Sequence, residues 1–266
     1  MAKGRHVGLP IRGNHGELPV CTEVLMYFDA TYMILIVAGL VLSGGAAFLV
    51  KMKFKSGEKV AISSGYTGAQ VAKAILQSCG INDVSVHEHK GFLSDHYNPL
   101  NKTLNLSPEV YNGRSAASAG VAAHEVGHAI QHSQNYFPMW IRSTIVPVAN
   151  IGSNLGPLII MIGIVLGAGA EMNSGIGHFV AALGVALFAM ATAFTLVTVP
   201  VEFDASARAK RQLESLSIVK PGPEANTVSS VLTAAGLTYV AAAINSIMML
   251  LYWAYRAGLI GGRRND

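Results

Sequence analysis

Long uninterrupted apolar runs separate shorter segments in which polar and apolar positions alternate. The first run, "TYMILIVAGLVLSGGAAFLV" (31–50), is 20 residues without a charge. A second spans 144–170, with prolines at 147 and 157 that bend it. A third covers 178–200, and the last begins at Val228 and carries no charge before Arg256. About 20 helical residues cross the ~30 Å hydrocarbon core of a bilayer. The pattern therefore predicts a mainly α membrane protein with about four transmembrane helices, at 30–50, 144–170, 178–200 and 228–260. Around them it leaves an N-terminal extension (1–29), a polar region (51–143), a second polar segment (201–227) and a tail (261–266).

Region 51–143 has its own rhythm. "YTGAQVAKAILQSCG" reads as a helix, capped by Thr67, striped by Val71, Ile75 and Leu76, and closed by Gly80. "DVSVHEH" and "KTLNLS" alternate like short strands, and "SPEVYNG" reads as a turn. "SAASAGVAAHEVGHAIQH" is a strong helical run with Ser115 as its cap. The region holds a small α+β unit.

Composition agrees with the spans. Hydrophobic residues make up 51% of the 266-residue chain and charged residues 13%. That is too little charge to clothe a water-soluble surface. The net charge is +4, and its basic residues sit beside apolar runs rather than in a stripe, so the lipid bilayer is the expected partner and nucleic acid is not. Lys51, Lys53, Lys55 and Lys59 follow the first span, Arg142 precedes the second, and Arg208, Lys210 and Arg211 follow the third. The positive-inside rule puts 51–143 and 201–227 in the cytoplasm, with both termini outside. Lys3, Arg5, Arg12, Arg263 and Arg264 pull the other way. The N-terminus is not a signal peptide by pattern. Cys21 and Cys79 form neither a disulfide framework nor a metal knuckle.

The candidate chemistry lies in "VAAHEVGHAI". On a helix His124 and His128 share one face one turn apart and can reach a single ion. Glu125 points about 100° away and can reach a water without coordinating the metal. This HExxH arrangement suits Zn2+, which lowers the pKa of water toward ~7 while the carboxylate acts as general base. The structural alternative is a packed helix with hydrogen-bonded histidines.

A third ligand must come from elsewhere. His132 lies ~12 Å along the helix from His124, too far to share an ion, and reads as a surface or supporting residue. Glu171 and His178 fall on the opposite side of the membrane. Glu202, in "VEFDAS", directly follows the third span, and two crossings return it to the face carrying His124 and His128. Glu202 is favoured; Glu214 is the alternative. Gly127 suits a helix that another element approaches closely.

"SPEVYNGRSAASAGVAAHEVGHAIQH" together with "LVTVPVEFDASARAKRQL" resembles the YugP-type zinc-dependent membrane peptidases, the neutral zinc metallopeptidase family. The resemblance extends from about Tyr27 to Leu259. It implies a multispanning, gluzincin-like zinc endopeptidase with a zincin-like catalytic region, holding one zinc per chain. His124, His128 and Glu202 would be the ligands and Glu125 the catalytic base. Better-known membrane gluzincins place Asp four residues after the ligand Glu, where Ser206 stands here. Asp204 then either orients a ligand imidazole, caps a helix or pairs with Arg208.

Peptide or membrane-protein substrates are implied. "KTLNLS" is either an edge strand to which substrate adds or a plain internal strand. "HEHKGFLSDHYNP" is a lid or substrate wall, and His87, His89 and His96 read as surface histidines. Arg208, His96, Tyr97 and Tyr111 all qualify for stabilising an oxyanion. The competing function class is a non-catalytic zinc-binding scaffold or transporter. The spans, however, carry no internal charge to mark an ion path.

Overall fold

In the computed structural model, residues 29–167 and 175–261 are described. The N-terminal extension up to residue 28, Cys21, Glu171 and the tail beyond Gly261 lie outside them. The order of elements is α1 (Ala30–Gly57), α2 (Gly68–Ser78), β1 (Ser85–Glu88), β2 (His96–Asn98), β3 (Thr103–Leu106), α3 (Pro108–Tyr111), α4 (Ala116–Ser133), α5 (Phe137–Gly167), α6 (Ile176–Ser215) and α7 (Pro223–Arg256).

Four of these helices, α1, α5, α6 and α7, are long and apolar enough to cross a membrane. Only 6% of the most apolar window of α1 is buried within the protein. Its Ile34, Leu40, Val41 and Phe48 point outward, which suits lipid and no aqueous surface. α1 starts on Asp29, whose carboxylate accepts the Tyr32 N–H at 2.7 Å and an Arg256 N–H from the end of α7 at 2.6 Å. The two helices run antiparallel. At their other ends Gly57 lies against Thr227 and Val231.

α5 and α6 form an antiparallel hairpin packed through small residues. A methyl added at Gly152 or Gly163 would strike the backbone of α6 at Leu187 or Ala181. Such close backbone approach is how helices associate where hydrophobic burial gives no drive. α6 does not stop at Pro200. It runs as one 40-residue helix from the membrane into the polar region, so Glu202 prolongs the third span rather than starting a new helix.

The remaining elements form a small α+β layer on the ends of these helices. Thr67 and Gln70 make a capping box at the start of α2, and Gly80 closes it with φ at 69°. Val71 and Ile75 of α2, Leu104 and Leu106 of β3, Val126 of α4 and Leu213 of α6 share one buried core. In β3 the leucines are inaccessible while Thr103 and Asn105 are half-buried, the period of two expected of a strand.

The sheet order is β1-β3-β2, with β1 parallel and β2 antiparallel to β3. β3, the "KTLNLS" strand, is therefore central, and no substrate can add to it. Both its edges are already paired, one to β1 and the other to β2. The free edge nearest α4 belongs to β2, which alternation did not reveal because it is three residues long and half-exposed.

Candidate metal centre

α4 is built to be approached. Ser115 caps it by accepting the Ser118 N–H at 3.1 Å, and nearly every residue from Ala116 to Gln131 is buried. An added Cβ at Gly127 would lie 2.5 Å from the Ala205 carbonyl oxygen of α6. Glycine at this point lets the two backbones touch, as the sequence suggested. That contact sets His124 and His128 opposite Glu202 and Ser206.

The three expected ligands converge. One donor atom each from His124, His128 and Glu202 lie within 4.8 Å of one another. The His124 and His128 Nε2 atoms stand 3.2 and 3.4 Å from the same Glu202 oxygen, Oε2. Glu202 is only 2% exposed, and its other oxygen accepts from the Arg142 guanidinium at 3.0 Å. Burial pushes the Glu202 carboxyl up, but the hydrogen bonds and charges of the two histidines outweigh it and hold the group well below its ordinary value.

The outer nitrogens explain why these atoms face inward. His124 Nδ1 meets Ser206 Oγ at 3.0 Å, and His128 Nδ1 meets Gln131 Oε1 at 2.9 Å. Gln131 is fully buried, and its amide nitrogen donates to the Val201 carbonyl and to Asp204 Oδ2, both at 2.8 Å. With its NH2 committed, Gln131 presents only an acceptor to His128, so His128 Nδ1 carries a proton. The Nε2 lone pair of the neutral ring then points at a carboxylate oxygen. Two lone pairs at 3.4 Å repel unless a cation lies between them, either a second proton or a metal ion. Burial lowers the His128 pKa, yet the bond and charge of Glu202 raise it further, as this geometry requires. Two imidazoles and a carboxylate are also the donor set that zinc takes. The residues fit the metal.

Glu125 lies beside the cluster without joining it. Its Oε2 accepts the Tyr97 N–H of β2 at 3.0 Å, so the free edge of β2 faces α4. Asp95, just before β2, accepts from the Ser107 N–H and hydroxyl. Burial, with the nearby Glu125 charge adding to it, raises Asp95 to about 6. Tyr239 of α7 and Arg142 of α5 complete a cavity of about 260 Å³ that also contains His124, Glu125, His128 and Glu202.

Other expected residues fall in several places. Asp204 does not touch an imidazole. It acts on His128 through Gln131 and is paired with Arg208, which also reaches Gln134. Ser206 orients His124 directly. His132 bonds the Tyr97 hydroxyl at 2.8 Å, away from the cluster. Glu214 is exposed and outside it. Of the oxyanion candidates, Arg208 and the Tyr97 hydroxyl are engaged elsewhere, Tyr111 packs on the core, and His96 lines the cleft. Gln131, Tyr239 and the direct contact of Arg142 went unseen in the sequence. For Gln131 the signal was a glutamine three residues after His128 on the same helix face. Tyr239 lies in a membrane run with no local mark.

Comparison with known proteins shows the family. Residues 32–258 match the family model described as "Putative neutral zinc metallopeptidase". The chain is 44% identical over 220 residues to "Putative membrane protease YugP" of Bacillus subtilis (strain 168), covering 83% of this chain and 93% of that protein. No solved structure shows significant similarity. The chain belongs to the neutral zinc metallopeptidase family.

Proposed function

We propose that this family member is an integral-membrane zinc endopeptidase of the HExxH-plus-glutamate, gluzincin-like type, working at the cytoplasmic face of the bilayer. The observation carrying this reading is the convergence of His124, His128 and Glu202 from two helices, with Glu125 beside them and held by the Tyr97 N–H. His124, His128 and Glu202 would hold one zinc per chain. Bound there, zinc supplies a Lewis acid that acidifies water and polarises a peptide carbonyl.

The chain's own groups do the rest. Glu125 takes the proton of the attacking water and passes it to the leaving amine. The Tyr97 N–H steadies that carboxylate before substrate arrives. A substrate strand adds at the open edge of β2, where the Tyr97 backbone faces the cleft. Tyr239 lines the same cavity with its hydroxyl bonded to Glu202, and on substrate binding that hydroxyl turns to donate to the developing oxyanion. Arg142 fixes the Glu202 carboxylate and leaves its second oxygen to the metal.

The cytoplasmic side is supported by the lysines after the apolar part of α1 and the basic residues after the apolar part of α6. A site at that face suits membrane proteins near their juxtamembrane segments, or unfolded soluble chains. Nothing in the charge pattern calls for nucleic acid.

Glu125→Gln tests the reading. The variant keeps its zinc and its fold, and cleavage of a generic unfolded substrate such as casein falls to background. Cleavage retained within tenfold of wild type would remove this mechanism.

A further inference from the structure

A second cavity, of about 310 Å³, is lined by His124 and Glu125 but not by Arg142. It lies between α1 and α7, and its walls include Ala47, Val50, Leu93, Val121, Leu232 and Ala235. It shares His124, Glu125, Asp95 and Tyr239 with the polar cavity. The two cavities therefore adjoin at the candidate metal centre. The first is lined by Arg142, Ser143 and His96, while away from the shared residues the second is lined by apolar side chains apart from Thr238.

We infer that the α1–α7 cavity is the specificity pocket of the cleft, taking one large apolar side chain of a peptide substrate from the residue next to the cleaved bond. The inference rests on the peptidase reading above and names what that site selects.

Three observations carry it. First, the cavity touches His124 and Glu125 themselves, so whatever fills it adjoins the reacting atoms. Second, its volume is at the small end for ligand sites, enough for one bulky side chain and too little for a folded element. Third, Ala47 and Val50 belong to the apolar run of α1 that ends at Lys51, so the pocket sits where the bilayer meets the catalytic layer. An apolar residue entering from a membrane-adjacent segment exchanges lipid or interface for a dry wall. Leu93 and Asp95 are the wall that "HEHKGFLSDHYNP" supplies; the loop carries Leu93 at φ 53°.

Small residues set the pocket's depth. Ala235→Phe on α7 or Ala47→Leu on α1 would fill it while leaving His124, His128 and Glu202 untouched.

The test uses the full-length protein in lipid nanodiscs and a peptide series differing at one position as Ala, Leu, Phe or Asp. Cleavage by wild type and Ala235→Phe is read by mass spectrometry, and binding of the same peptides is read on Glu125→Gln with and without Ala235→Phe. Wild type is expected to cleave next to Leu or Phe at least about tenfold better than next to Ala, a typical worth for a filled apolar pocket. Ala235→Phe should lose that preference while still cleaving the Ala peptide and keeping its zinc, and Ala47→Leu should repeat the result. Binding to Glu125→Gln should show the same order, abolished by Ala235→Phe.

Cleavage by wild type without apolar preference would overturn the pocket and leave the peptidase reading standing. Apolar-selective binding to Glu125→Gln, with no cleavage by wild type, would sustain the pocket and overturn the peptidase. Equal binding of every peptide, displaced by added lipid, would make the cavity a lipid site and overturn the inference. A protein that neither binds nor cleaves any peptide would sink both.

Discussion

Glutamine is seldom buried completely, because its amide has four hydrogen-bonding positions to satisfy. Gln131 is buried completely, and its bonds run from Asp204 and the Val201 carbonyl to His128. Its value is directional: it fixes which nitrogen of His128 carries the proton and so aims the other at the centre. Removal of such an orienting partner typically lowers metal affinity about 10- to 100-fold. Gln131→Ala is expected to show that drop in a chelator-competition titration, with zinc stoichiometry restored at saturating metal. An unchanged affinity would mean that packing alone orients His128. At this scale the sequence was legible where chemistry is local. His124, Glu125 and His128 stand in one helical turn and declare themselves. Glu202 needed a count of membrane crossings, and Tyr239 needed the fold, since a tyrosine in a membrane run looks like any interfacial aromatic.

Helix α4 meets α6 at a point with no room for a methyl group. Gly127→Ala would drive a Cβ into the Ala205 carbonyl, an oxygen on helix backbone that cannot rotate aside. Overpacking of this kind costs about 1–3 kcal/mol. The same shift would move His124 and His128 off Glu202. Gly127→Ala is expected to lower the thermal midpoint and the zinc occupancy together, whereas Gly120→Ala, facing the movable Val228 side chain, should spare the zinc. Loss of stability with full zinc affinity would separate the contact from the site. The elements themselves were readable by period: α2 and α4 from their caps and stripes, β1 and β3 from alternation. Pairing was not readable. β3 looked equally suited to an edge or a centre, because period reports which face is buried and says nothing of what flanks a strand. Pro200 likewise marked a boundary that α6 passes through.

Across the whole molecule, the α5–α6 hairpin does the decisive work. α5 leaves the polar region after Arg142, and α6 returns Glu202 to the end where α4 lies. One crossing fewer would strand the carboxylate on the far side. The proposed orientation makes a direct expectation. In a cysteine-free background, Ile176→Cys at the far end of α6 should react with a membrane-impermeant maleimide on intact cells. Glu214→Cys at the near end should react only after permeabilisation. The reverse pattern would place the centre outside.

The central claim, that three side chains from α4 and α6 hold one zinc, meets its most direct test in the metal content of the purified protein. Wild type and Glu125→Gln are expected to carry one zinc per chain after dialysis, and Glu202→Ala to carry almost none. Full stoichiometric zinc in folded Glu202→Ala would contradict the account, because the metal would then be held by some other set of ligands.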